Sequence, residues 1–192
     1  MTITINNQKF ELTDAQVNRL RKALGINGKQ LSDVAIGDTF TVANIKWIHF
    51  GDGVAVAKDT LFNARFDSDT NNFAESNLLA RLEREILPKI EAEIGAENVL
   101  KFETDLWALD GTDEYGKMTS KISLPTLDFY RKNRKIFSKH HINKWWWLAT
   151  PDSTNNSYVR CVDGGGTLGD NYCSGDGGVR PFLIFNSSIF VS

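Results

Sequence analysis

The chain has 192 residues, 41% of them hydrophobic, with 22 basic and 24 acidic side chains and a formal charge of -2. That length and apolar share support one domain with a buried core and a small appendage at most. The near-balanced charge offers no basic field to gather phosphates, so nucleic acid is not an expected partner. No apolar run approaches the roughly 18 residues that cross a bilayer, so membrane insertion is not expected either.

The opening residues, Met1-Thr-Ile-Thr-Ile-Asn-Asn7, lack the basic and apolar regions of a signal peptide, which leads us to expect synthesis in a cytoplasm without cleavage. The segment alternates polar and apolar residues, Asn6-Asn7 supplies a turn, and residues 9–12 complete a short hairpin. A helix is expected next: Thr13 and Gln16 form a capping box, Val17, Leu20 and Leu24 share a face, and Gly25 ends it. Asn27-Gly28-Lys29 separates this unit from the rest, so residues 1–27 read as a hairpin-helix appendage and residues 28–192 as the main domain. The appendage is a candidate for homo-oligomer formation.

Residues 38–49 carry Phe40, Val42, Ile45, Trp47 and Ile48 and read as one strand with an irregular step, answered by residues 54–57 across Gly51-Asp52-Gly53. Asp67-x-Asp-x-Asn71 begins like a calcium loop, but an EF-hand needs Gly in the sixth position and Glu in the twelfth, where this chain has Asn72 and Leu78. Leu78, Leu82, Ile86, Ile90 and Ile94 then recur at near-fourfold spacing, with Pro88 as a kink and Gly95 as a stop. A third helix is expected over residues 125–136, with Ser123 as its cap and Leu127, Tyr130 and Arg134 on one face.

The most informative stretch is the last, residues 145–191. Trp145, Trp146, Trp147, Val159, Val162, Val179, Phe182 and Ile184 suit anchoring positions on short strands, and the residues between them are small and polar. Strand alternation puts Trp145 and Trp147 on one face and Trp146 on the other, and all three are expected to be mostly buried. Gly164-Gly-Gly-Thr167 has no Lys-Ser or Lys-Thr after it, so it reads as a turn and not as a phosphate loop. Arg180, between Val179 and Pro181, is expected to pair with a buried carboxylate or carbonyl.

Candidate chemistry is sparse. Cys161 and Cys173 are the only cysteines, and with three histidines they cannot assemble a zinc site at recognisable spacing, so no metal or cofactor is expected. In a reducing compartment the two thiols are expected to stay free and half-buried. His49 and the adjacent pair His140-His141 read as structural or boundary residues, and no Gly-x-Ser-x-Gly elbow accompanies any nucleophile.

Three stretches together resemble the family of uncharacterised domains called DUF6273, common in Gram-positive bacteria and their phages. Gly37-Asp-Thr-Phe40 leading to Trp47 is similar to its opening strand. Lys121-Ile-Ser-Leu-Pro-Thr-Leu-Asp-Phe-Tyr130 is similar to its middle segment, and Trp146-Trp-Leu-Ala-Thr-Pro151 with Gly178-Val-Arg-Pro181 to its ending. Where family members usually carry Arg before Ser-Pro, this chain has Ala149-Thr150.

The ending also resembles C-type-lectin-fold proteins, among them formylglycine-generating-enzyme-like domains and the variable proteins of diversity-generating retroelements. These resemblances imply an α+β, C-type-lectin-like fold with short antiparallel strands and two or three helices. They also imply a non-catalytic receptor-binding protein of phage or prophage, associated with the virion, that holds a protein or glycan ligand. The matching solvent-facing candidates are Asn155, Asn156, Tyr158, Arg160, Asp163, Asp170, Asn171, Tyr172, Ser174 and Asp176. Their mixture of Tyr, Ser and Asn with intervening Gly is the composition of antibody paratopes. Two alternatives stay open: a formylglycine-generating-enzyme-like oxidoreductase using Cys161 and Cys173, and a virion structural protein.

Overall fold

The computed structural model describes residues 2–5, 8–13, 16 and 28–192. Thr2–Ile5 (β1) and Gln8–Glu11 (β2) pair antiparallel, Thr2 opposite Glu11 and Ile5 opposite Gln8, as the alternation implied. Thr13 N–H donates to Gln16 Oε1 at 2.9 Å and Gln16 N–H to Thr13 Oγ1 at 3.4 Å, the reciprocal bonds of a capping box. The helix expected beyond them lies outside the described residues.

Two five-stranded sheets organise the rest. The first has the order β4-β5-β6-β15-β8, from Thr39–Val42 (β4), Ile45–His49 (β5), Val54–Ala57 (β6), Phe182–Phe185 (β15) and Val99–Leu100 (β8). Here the single irregular strand expected over residues 38–49 is corrected to a hairpin: Val42 faces Ile45, and Ala43 and Asn44 turn the chain with φ of 55° and 57°. A two-residue turn of that hand needs positive φ at both centres, and alanine is a poor advertiser of it. Glu93 accepts the Ala43 N–H at 2.9 Å and pins the turn. Phe40 and Trp47 each meet Phe185 edge-on beneath this sheet, with ring centroids 5.6 and 5.4 Å apart.

The second sheet has the order β13-β12-β11-β14-β7, from Leu168–Tyr172 (β13), Tyr158–Val162 (β12), Trp146–Pro151 (β11), Gly177–Val179 (β14) and Phe62–Ala64 (β7). Two-stranded ribbons complete the β structure: Phe102–Asp105 (β9) with Lys117–Ser120 (β10), and Lys29–Gln30 (β3) with Phe190–Val191 (β16).

The helical pattern over residues 78–94 is split where Pro88 requires it, into Asn77–Glu85 (α1) and Leu87–Ile94 (α2), with Gly95 at φ 89° as the stop. The Ser76 hydroxyl accepts the Leu79 N–H at 3.1 Å and caps α1. The third helix is also divided, into Leu127–Lys132 (α3) and Arg134–Lys139 (α4). Its cap is Thr126, whose hydroxyl accepts the Phe129 N–H at 3.2 Å. Ser123, the expected cap, instead forms a backbone bridge to Phe182. The molecule is thus α+β, mostly sheet with few helices, and among the described residues no helix is long and apolar enough to cross a membrane.

Candidate functional site

The site is built on β11, which is buried along its whole length because hydrophobic core lies on both of its faces. Trp147 and Ala149 join the main cluster with Phe66, Val159 and Val179; Trp146 and Leu148 join a second one with Leu127, Tyr130 and Phe137. The alternation expected for the tryptophan block is what divides them. Trp147 Nε1–H donates to Ala64 O at 2.9 Å, and half-buried Trp145 meets the Trp147 ring edge-on with centroids 4.8 Å apart.

Strand β14 runs parallel to β11 with Gly178 opposite Trp146. A Cβ on Gly177 would fall 2.4 Å from the Trp145 ring and 2.5 Å from Trp147 Nε1, so a side chain there would displace indole atoms. Arg180, three residues on, carries its guanidinium carbon 4.7 Å above the Trp146 ring. The Trp-Trp-Leu and Gly-Val-Arg-Pro elements, distant in sequence, are one packed unit.

The hairpin β12–β13 grows from the other edge of β11, and its register decides which side chains meet solvent. Tyr158 faces Tyr172 and Arg160 faces Asp170 on the outer side, where Val162, opposite exposed Leu168, is buried in the second cluster; Val159 faces Asn171 and Cys161 faces Gly169 on the other. Four of the sequence candidates therefore stand together on one face. The Tyr158 and Tyr172 rings lie with centroids 4.3 Å apart, and Tyr172 is 54% exposed. Arg160 Nη1–H donates to Asp170 at 3.0 Å and its Nη2–H donates to Asp152, a residue that sequence reasoning missed. Arg160 is mostly covered, so its aliphatic stem and fork are fixed while the tyrosine pair beside it stays open.

The remaining candidates divide by role. Asn156, Ser174 and Asp176 are exposed on the flanking loops. Asp163 is exposed but shapes the turn after β12: Oδ1 accepts the Gly165 and Thr167 N–H groups, both at 2.8 Å, and Oδ2 accepts the Thr167 hydroxyl. Those bonds from Thr167 hold its carboxyl below the usual range. Asn155 Oδ1 accepts the Ser157 N–H at 2.9 Å and shapes its own loop. Asn171 is half-buried on the opposite side of the hairpin, with Oδ1 accepting the Tyr172 N–H at 2.9 Å.

Two polar residues hold the 152–158 loop in place. Asp152 Oδ1 accepts the Thr154 and Asn155 N–H groups at 2.8 and 3.1 Å. Burial works against its charge, but the hydrogen bonds from Thr154 and the nearby Arg160 prevail and lower its pKa. Asn71 is fully buried; its Nδ2 donates to the carbonyls of Asp152 and Tyr158, both at 2.9 Å, and to that of Asn155 at 3.3 Å. Tyr115 O–H donates to Asn71 Oδ1 at 2.7 Å. The segment that begins like a calcium loop is thus a loop clamp, with Asp67 accepting the Asp69 and Asn77 N–H groups at 2.9 and 2.8 Å. The Asx-turn spacing from Asp152 to Thr154 was a readable signal; Asn71 carried none, because its partners lie 44 to 87 residues away.

The residues weighed for catalysis sit elsewhere or are muted. His49 is buried with Nδ1 2.8 Å from Val34 O, and His140 Nε2 lies 2.7 Å from Gly37 O. Cys161 and Cys173 are both free and buried, deeper than the half-burial expected. Burial pushes the Cys161 thiol up to about 11 and raises that of Cys173, which suppresses the thiolate that metal binding or nucleophilic attack requires.

Fold and surface define a small α+β domain whose rigid tryptophan-lined sheet displays a polar edge hairpin. The family model described as Domain of unknown function (DUF6273) matches residues 53–187, and the chain belongs to that family. No curated protein and no solved structure matches it.

Proposed function

We propose that the outer face of β12–β13, with the loops that flank it, is a recognition surface for a protein or glycan, carried on a C-type-lectin-like scaffold. The observation that carries this reading is the register of the hairpin, which gathers Tyr158, Arg160, Asp170 and Tyr172 on one solvent face above fully buried tryptophans. A tyrosine pair in ring contact offers large contact area with little side-chain entropy to lose, and a fixed Arg–Asp pair offers directed hydrogen bonds. The scaffold reading rests on the short antiparallel strands, the few helices and the pairing of β3 with β16, which closes residues 28–192 on themselves. A phage or prophage receptor-binding protein that works without a catalytic group fits these features.

The test uses fluorescently labelled protein against intact Gram-positive cells and an array of bacterial surface glycans. Joint replacement Tyr158→Ala and Tyr172→Ala should reduce capture by tenfold or more while Tm moves by a few degrees at most. Undiminished capture by the folded variant would remove this surface from consideration.

A further inference from the structure

Residues 106–116 join β9 to β10 and reverse the usual preference for burying the larger apolar side chain. Leu106 and Ala108 are buried, whereas Trp107 and Leu109 stand 48% and 53% exposed. Of the five tryptophans in the chain, Trp47, Trp146 and Trp147 are fully buried and Trp145 is half-buried, so Trp107 alone is largely open to water. The backbone around it is fixed by Leu106 N–H on Gly116 O at 2.9 Å, Ala108 N–H on Thr112 O at 2.8 Å and Gly111 N–H on Ala108 O at 3.0 Å. Asp110 ties the same loop to the 152–158 loop by accepting the Ser153 hydroxyl at 2.7 Å.

A cavity of about 170 Å³ opens beside Trp107. Trp107, Leu109 and Leu127 line it with apolar surface, and Asp105, Asp128 and Thr126 with polar groups. An engineered cavity of roughly 150 Å³ takes one benzene ring, so this one has room for a single six-membered ring. Each of its carboxylates has a cation at 3.4 Å, Lys117 for Asp105 and Arg131 for Asp128. These exposed pairs are weak, and they set donors beside acceptors without a net charge that would draw in an ion. The Thr126 hydroxyl accepts the Phe129 N–H at 3.2 Å and has its own proton to donate.

We propose that this cavity binds one neutral pyranose ring of a glycan, its C–H face on the Trp107 indole and its hydroxyls on Asp105, Asp128 and Thr126. A pyranose is apolar on its faces and both donor and acceptor around its edge, which is the combination that the cavity offers. A purely aliphatic side chain would take water from the carboxylates and give them no hydrogen bond. An ammonium group would have to displace Lys117 or Arg131 from the same oxygens. The site contains none of Tyr158, Arg160, Asp170 and Tyr172, so it stands apart from the hairpin surface.

The experiment uses the full chain, nitrogen-15 labelled at its tryptophans, with the methyl glycosides of glucose, galactose, mannose, rhamnose and N-acetylglucosamine as probes. At least one should bind with a Kd of about 1–10 mM, as expected for a single ring, and shift the Trp107 indole N–H resonance while those of Trp47, Trp146 and Trp147 stay in place. Trp107→Ala should weaken binding of that glycoside, read by saturation transfer, by about tenfold or more. Asp105→Asn keeps the indole and replaces an exposed side chain; it should weaken binding several-fold, and it decides the matter if the indole variant does not fold. Tyr158→Ala with Tyr172→Ala should leave glycoside binding unchanged, so failure of the hairpin surface and failure of this site read differently. No shift with any glycoside at about 100 mM would overturn the assignment. A Trp107 shift given by Nα-acetyl-lysine amide in place of the glycosides would overturn it in favour of a basic side chain. A dimer seen by light scattering and dissolved by Trp107→Ala would overturn it in favour of a second copy of this chain.

Discussion

The spine formed by β11 and β14 and the hairpin formed by β12 and β13 are neighbours in one sheet and use similar residues for opposite ends. In the spine, Gly177 is a glycine because indole rings occupy the place of its side chain, and Trp146 and Trp147 are both shut away from solvent. In the hairpin, Gly166 is a glycine because the turn needs φ of 79°, and the aromatic pair Tyr158–Tyr172 lies open. Glycines and aromatic rings occur in both; burial and register separate a scaffold from a surface. Substitutions in the spine should therefore be read in stability and those in the hairpin in binding.

The sharpest break is Trp147→Ala. It empties a fully buried indole site and strands the Ala64 carbonyl, and should cost about 3–5 kcal/mol in denaturant unfolding. A loss under about 1 kcal/mol would show that the spine is not the scaffold described. Next is Asn71→Ala, which frees the carbonyls of Asp152, Asn155 and Tyr158 and the Tyr115 hydroxyl. The expected destabilisation is about 1–3 kcal/mol, with faster amide exchange over residues 152–158 as the local signature.

Asp152→Asn tests the link between loop and hairpin through pH. The folded protein holds the Asp152 carboxyl below its ordinary value of 3.8. Its ionised form therefore contributes stability above that pH, and the contribution is lost as pH falls through the lower folded value. The variant should melt about 2–4 °C below the parent at pH 7, and the gap should close below pH 4. A gap independent of pH would assign the effect to packing instead. The smallest effect on stability belongs to Tyr172→Ala, about 0.2–1 kcal/mol for an exposed cross-strand pair, even though the same change should impair capture of the ligand. A loss as large as that of Trp147→Ala would erase the distinction between the two regions.

Much of the local structure was legible. Pro88 and Gly95 marked the break and the end of the α1–α2 pattern, and the alternation of the tryptophan block assigned its two faces correctly. The polar residues between the glycines did mark an exposed region, yet their individual roles were not readable. Tyr158 and Tyr172 look no different in sequence from Asn155 and Asp163, whose side chains are spent on turns. The Ala43–Asn44 turn was missed because alanine is not a residue that signals left-handed backbone.

What the sequence determined by itself was therefore periodicity, punctuation and class: where the α1–α2 pattern breaks and stops, that Trp146 and Trp147 point to opposite faces, and that residues 53–187 form a DUF6273 domain in a chain of α+β type. Only the tertiary structure decided that β14 lies parallel to β11, that Asn71 clamps a loop more than 80 residues away, and that Arg180 is buried against the Trp146 ring with its Nε–H on the Ala57 carbonyl. The reason is physical. Local patterns record which way a side chain faces, whereas pairing partners across long separations are selected by packing and hydrogen-bond satisfaction in the assembled core, and leave no period in the chain.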